Sequence, residues 1–300
     1  MRANILAPVA LFVYNRPKHT QLTLESLKKN KLAAHTMLYI FADGEKSNAS
    51  EEDKKNIIET RELIAAITGF KEVIVNQKTK NHGLAASIIA GVTQVVNRHK
   101  KIIVLEDDLI VADYFLDYMN DGLNAYEAAT NVFSINAFMF PLKTSYNKVV
   151  LLPYTSTWGW ATWKTKWDVF DEKMIGKELL YTDKKLAKRF NLGDYKYTDM
   201  LNLKNNSWGI KWYYSVFMKN GLNLFPHKTL VANIGFDGSG TNCGNIGGLI
   251  LPDLYSSKID IKILQKTDLY FLKTYIKYFT RNKIKAFVKK TINTLKTKTG

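Results

Sequence analysis

Three consecutive carboxylates, Glu106, Asp107 and Asp108, follow the apolar run Lys101–Leu105 (KIIVL) and precede Leu109-Ile110 and an amphipathic segment. Adjacent carboxylates repel one another, so a cation, a basic group or bulk water has to compensate them. Hard divalent ions such as Mg²⁺ or Mn²⁺ take oxygen ligands, commonly one or two carboxylates together with substrate phosphates. A nucleotide-sugar pyrophosphate is a natural co-ligand for such a site; a solvated acidic turn is the alternative. No GxxxxGK[ST] occurs, and no GxGxxG follows the first apolar run, so a P-loop and a dinucleotide-binding turn are both disfavoured.

Other candidates stand at comparable places. Arg16 follows the apolar run Pro8–Tyr14 and Asp43 follows Met37–Ala42. Ligands of open α/β sheets bind beyond the carboxyl ends of the strands, so three such ends define one candidate site. Arg16 could equally be a structural cation paired with the acidic triplet. His82 precedes Gly83 at the start of a helix beginning near Leu84, where backbone N–H groups favour an anion such as a pyrophosphate. Trp163 and Trp167, four apart, suit one buried helix face, whereas Trp158-Gly159-Trp160 suits a sugar-stacking surface, with the core as the alternative.

The elements that must hold these residues alternate short apolar runs with amphipathic segments, the sequence form of a parallel sheet with crossover helices. Strands are expected over Pro8–Tyr14, Met37–Ala42, Val73–Val75 and Lys101–Leu105. Helices are expected from Pro17, from a capping box at Ser50 and Asp53 to about Ile67, and from Leu84 to about Arg98. From about residue 130 the texture changes to a strand-like Asn131–Ala137, the Trp-rich stretch, and Gly-rich turns from Gly235 to Gly248. No Pro/Ser/Gly linker intervenes, so the second half is expected on the same sheet.

Composition narrows the classes. The 300 residues are 46% hydrophobic, enough for a sizeable core, and 43 Lys and Arg against 27 Asp and Glu leave +16. An electrostatic partner would be anionic: nucleic acid, a phospholipid surface or a phosphorylated substrate. A single cysteine, Cys243, excludes an internal disulfide framework and a zinc site built on several thiolates. No run approaches the roughly 18 apolar residues of a membrane span, and the N-terminus lacks a signal-peptide core, so a cytoplasmic chain without an integral anchor is expected.

The stretch EDDLIVADYFLDYM, Glu106 to Met119, resembles the acidic metal motif and following helix of glycosyltransferases of the GT-A fold, as in the N-acetylglucosaminyltransferase I family and bacterial family 2-like sugar transferases. PVALFVYNRP (Pro8 to Pro17), FADG (Phe41 to Gly44), NHGLAASI (Asn81 to Ile88), WGWATW (Trp158 to Trp163), SWGIKW (Ser207 to Trp212) and NIGFDGSGT (Asn233 to Thr241) follow in the same order, so the likeness covers roughly residues 5 to 245. It implies an α/β GT-A, Rossmann-like nucleotide-diphospho-sugar transferase fold with a mixed central sheet. Residues 1–130 would form the nucleotide-sugar-binding half and 131–257 the acceptor half. It also implies Arg16 against the donor nucleotide, Asp43 on the uracil edge, Glu106 and Asp107 near ribose and donor sugar, and Asp108 as the direct ligand of Mn²⁺ or Mg²⁺. His82 would touch the nucleotide or pyrophosphate, and Trp158, Trp160 and Trp208 the acceptor or sugar.

An inverting transfer needs a carboxylate to deprotonate the acceptor hydroxyl. Where the family pattern sets an Asp beside a Trp, this chain reads Asn205-Asn206-Ser207-Trp208, leaving Asp237 or Asp199 as candidate base. Asn242 stands where related bacterial sequences carry a His, which puts a His metal ligand in doubt.

Residues 258–300 form a basic tail. Ten Lys or Arg and one acid fall within 265–300, with apolar residues recurring every three to five positions from Leu272 to Leu295. That pattern suits cationic amphipathic helices on an anionic membrane; a helix packed on the catalytic domain and an RNA-binding tail are the alternatives. The expectation is therefore a metal-dependent glycosyltransferase, peripheral on the inner face of the cytoplasmic membrane. It would move sugar from a UDP-sugar to a cell-surface glycan, such as lipopolysaccharide or capsule, or to a lipid-linked acceptor, without a nucleic-acid partner. Its rivals are a sugar nucleotidyltransferase and a non-catalytic glycan- or nucleic-acid-binding protein.

Overall fold

A computed structural model describes residues 5–142, 145–202, 207–237, 253–278 and 280. Strands β1 (Val9–Val13), β2 (Met37–Ala42), β3 (Glu72–Gln77) and β4 (Lys101–Glu106) pair in parallel in the order β3-β2-β1-β4. Their crossovers carry α1 (Pro17–Lys28), α2 (Glu51–Ala65) and α3 (Leu84–His99). Pro17 opens α1, and Ser50 with Asp53 forms the reciprocal capping box expected at the head of α2.

Every residue of β1 is buried because both faces are covered: Val9, Leu11 and Val13 face one core cluster, Ala10 and Phe12 the other. After β5 (Leu109–Val111) and α4 (Phe115–Ala125), β6 (Val132–Asn136), β7 (Val150–Leu152) and β8 (Trp160–Trp163) extend the layer. Short helices α5 (Lys164–Trp167), α6 (Leu179–Thr182) and α7 (Lys184–Phe190), then α8 (Trp208–Met218), precede β9 (Leu222–Phe225) and β10 (Val231–Asn233). The sheet reads β3-β2-β1-β4-β8-β6-β9-β7, with β8 antiparallel to both β4 and β6, while β10 pairs with β5 in a separate ribbon. This mixed α/β sheet, mostly parallel with an antiparallel strand beside β4, is the GT-A-like layout that the motifs imply.

Three expectations are corrected by packing. Trp163 and Trp167 do not share a helix face: Trp163 ends β8 and packs in the cluster below the sheet, Trp167 in the one above. Trp160, fully buried, and Trp208 join Trp167 and Trp212 in a four-indole core, with Trp160–Trp208 centroids 5.4 Å apart, so neither offers a face to a sugar. The tail helix, 269–278, buries Phe271 and Tyr275 against a third cluster containing Tyr154, Tyr213 and Phe225. The apolar face expected to meet lipid is therefore used, over this helix, to complete the core. Residues 281–300 lie outside those described. Among the described residues no helix is long and apolar enough to cross a membrane.

Candidate active site

The acidic triplet sits where β4 gives way to β5, directly beside the end of β1, since Phe12 registers with Glu106. What holds it is a polar seam running along α1 and just past its C-terminal end, rather than an apolar one. Thr23 Oγ1 donates to the Asp107 carbonyl (2.7 Å), Ser26 Oγ accepts from Val111 N–H, and Asn30 bridges the Ala112 carbonyl and the Leu116 N–H. Thr23 and Ser26 lie one turn apart on α1 and Asn30 follows its end, so one side of this segment satisfies the irregular backbone around the acids. The spacing of this buried polar stripe is readable in the sequence, but its partners on β5 and the start of α4 are not.

Arg16, at the N-cap of α1, donates through Nη2 to both Asp107 Oδ1 and Asp108 Oδ2, the second at 3.0 Å. Both carboxylates are buried, and Arg16 itself is only 17% exposed at the side chain. Burial works against its charge, yet Asp107 and Asp108 outweigh that cost and raise its pKa. The acids respond in kind: burial, Asp108 and Asp107 push Glu106 up to about 8, against Arg16. Burial pushes Asp107 up to about 6, with Arg16 opposing. Arg16 Nη1 is buried and has no hydrogen-bond partner among the described residues.

A strap following β10 covers this pair. Ile234 N–H donates to the Asp108 carbonyl (2.9 Å), and Asn233 Oδ1 accepts from Gly235 N–H. A Cβ at Gly235 would lie 2.3 Å from Asp108 Oδ2 and 3.1 Å from Arg16 Nη1, so only glycine lets the strap approach this closely. The Phe236 and Trp158 rings meet at a steep angle with centroids 5.6 Å apart, and Asp237 Oδ2 lies 3.1 Å from His19 Nε2. Trp158 is thus brought to the site, as is Asp237. Asp199 is exposed, on the 3-10 helix Tyr197–Asn202, and no hydrogen bond or ion pair joins it to the triplet among the described residues. Asn242 lies outside the described residues.

His19 is the residue that sequence reasoning missed. It follows Arg16 by three positions on the first turn of α1, a spacing that places both on one face.

Asp43 also sits at its strand end, but its carboxylate is engaged. It accepts from the backbone N–H of Gly44, of His82 (3.0 Å) and of Gly83 (2.8 Å), and so clamps the loop that starts α3. Gly83, at φ 81°, supplies the left-handed backbone which that turn needs. The two oxygens offer roughly four lone-pair sites, most of them directed to these amides. The His82 ring is exposed at the head of α3.

Among the described residues no three His, Cys, Asp or Glu side chains form a metal cluster. Two carboxylate oxygens nevertheless converge on one guanidinium nitrogen, which marks a point where a single cation touches both. An oxygen pair of this kind fits a hard divalent ion that draws its remaining ligands from water and phosphate. Asp107 and Asp108 would hold it.

No family model matches the chain, and no curated protein matches it. Among solved structures it is similar to the mannosyltransferase PcManGT from Pyrobaculum calidifontis in complex with GDP-Man and Mn²⁺, at 11% identity over 53% of this chain and 44% of that one, with a TM-score of 0.35. It is also similar to S. aureus TarS, at 11% identity over 75% of this chain and 36% of that one, with a TM-score of 0.38. The chain spans less than half the length of either structure. Likeness this distant leaves the chemistry of the site to the residues of this chain.

Proposed function

We propose that the chain is a metal-dependent glycosyltransferase whose donor is a nucleotide sugar, a UDP-sugar in the reading its motifs favour. The observation that carries this is the convergence of Asp107 and Asp108 on one cation position at the sheet's carboxyl edge, beside Arg16. When bound there, Mg²⁺ or Mn²⁺ supplies positive charge for a leaving diphosphate. Arg16 offsets the same developing charge from the protein side. Asp237, on the strap and half exposed, takes the proton of the acceptor hydroxyl as that oxygen attacks the anomeric carbon. Trp158 offers its ring beside the strap, a surface suited to the C–H face of a sugar. Asp43 acts on the nucleotide indirectly, by fixing the loop that carries His82. The acceptor is a surface glycan or lipid-linked saccharide, and residues 281–300, with seven Lys or Arg and no acid, bring the enzyme to an anionic leaflet.

The test is incubation with a panel of nucleotide sugars, with and without Mn²⁺, following free nucleoside diphosphate. UDP release that requires Mn²⁺ and disappears in Asp108→Ala supports the reading. Pyrophosphate release from a nucleoside triphosphate, or wild-type turnover in Asp108→Ala, overturns it.

A further inference from the structure

Resting on that reading of the acidic site, we infer that Arg16 is an internal competitor of the metal: its guanidinium holds the cation position between Asp107 and Asp108 until a metal and a diphosphate displace it together. Nη2 touches both carboxylates, so a divalent ion sharing them cannot enter while the guanidinium stays. Two cations packed at one point repel, and the carboxylates offer their charge to only one of them. Without a metal the guanidinium neutralises acids that burial would otherwise leave uncompensated.

The surroundings fit an arginine that changes partners. Nη1 is buried and unpartnered among the described residues, an energetically costly state that a phosphate oxygen would relieve. The backbone next to it belongs to Gly235, which leaves no side chain in the way. The strap is bonded to the Asp108 backbone carbonyl through Ile234 N–H, so the strap and the backbone that carries this acid are joined. Metal alone takes Nη2 from its two carboxylates and gives Nη1 no acceptor in exchange. A diphosphate gives it one, so nucleotide and metal should strengthen each other's binding beyond their direct contact, by the same factor in each direction.

The experiment measures Mn²⁺ binding without nucleotide, from the electron paramagnetic resonance signal of free Mn²⁺, in wild type, Arg16→Gln and Asp108→Ala, and repeats it with UDP. Arg16→Gln should bind Mn²⁺ alone more tightly than wild type, by about fivefold or more, and should gain less from UDP. A residue that serves only to bind phosphate would leave the affinity for Mn²⁺ alone unchanged, and that result overturns the inference. If Arg16→Gln unfolds for want of a counter-ion, near-ultraviolet circular dichroism is followed against Mn²⁺. Recovery of the native signal supports the exchange, and no recovery overturns it. Unchanged Mn²⁺ affinity in Arg16→Gln, with binding lost in Asp108→Ala, defeats the competitor alone. Absence of Mn²⁺ binding in every protein, UDP present, defeats the metal reading and this inference with it.

Discussion

His19 Nε2 lies 3.1 Å from Asp237 Oδ2 and ties the first turn of α1 to the strap after β10, across more than two hundred residues of sequence. The imidazole is largely buried while the carboxylate is half exposed, so one partner is fixed by the fold and the other stands at the surface. Arg16 holds the acids from the same helical turn. One turn of α1 therefore orients both the acidic site and the candidate base.

Asp237→Asn keeps the shape and removes the base. Turnover to a soluble acceptor should fall by about 10² or more, with little change in the KM for donor. His19→Ala should lower kcat less, and His19→Gln, which retains a donor, should recover part of it. Full kcat in Asp237→Asn would move the base elsewhere.

Asp43→Ala removes the acceptor for His82 and Gly83 N–H. Losing hydrogen bonds to a charged group costs about 1.5–3 kcal/mol, visible as a lowered melting temperature. Nucleotide affinity should weaken equally for UDP and CDP, because the carboxylate acts through the loop. Selective weakening of UDP, read by titration calorimetry, would return Asp43 to the uracil edge.

The first half of the fold was legible because its signals are local: continuous apolar runs gave β1, β2 and β4, Pro17 gave the start of α1, and the Ser50 box gave α2. The second half was harder to read. β7, β8 and β10 are three or four residues long, too short to show a period, and their pairing is decided by partners far away in sequence. Tryptophan is equally suited to a core and to a sugar, so only packing could send Trp160 and Trp208 inward and leave Trp158 at the strap. The acids and Arg16 were found because unusual charge follows a strand. His19 escaped because its partner, Asp237, lies more than two hundred residues further along the chain.

The tail predicts a boundary in stability. Ending the chain after Thr280 should leave the melting temperature nearly unchanged, whereas ending it after Leu264 strips Phe271 and Tyr275 from the third cluster. Phe271→Ala alone should cost about 3–5 kcal/mol, the range for emptying a buried aromatic site. If residues 281–300 are the membrane contact, the chain ending at Thr280 should cease to sediment with anionic vesicles while staying folded, since each Lys or Arg near such a surface contributes about 1 kcal/mol. Undiminished sedimentation would show that the contact lies elsewhere.

Docking of that helix should also be pH-dependent, through Asp268. Its carboxylate accepts from the Tyr146 hydroxyl and from the backbone N–H of Phe271 and Tyr270, so it caps the helix and pins it to the segment carrying Tyr146. The Tyr146 hydroxyl, then the Phe271 amide, hold its pKa below the ordinary aspartate value of about 3.9. A carboxylate whose pKa is depressed by folding contributes stability that is fully present above the unfolded value and is lost as pH falls through the folded one. At neutral pH, Asp268→Ala should therefore melt lower than wild type and show faster amide exchange over 269–278. As pH drops below about 4 the wild-type carboxyl takes up its proton, and the two proteins should converge. Asp268→Asn, which keeps an acceptor oxygen but cannot ionise, should show a smaller deficit that is likewise greatest above that range. A melting difference between Asp268→Ala and wild type that is constant from pH 7 to pH 3 would mean that the ionised carboxylate contributes nothing to holding the helix.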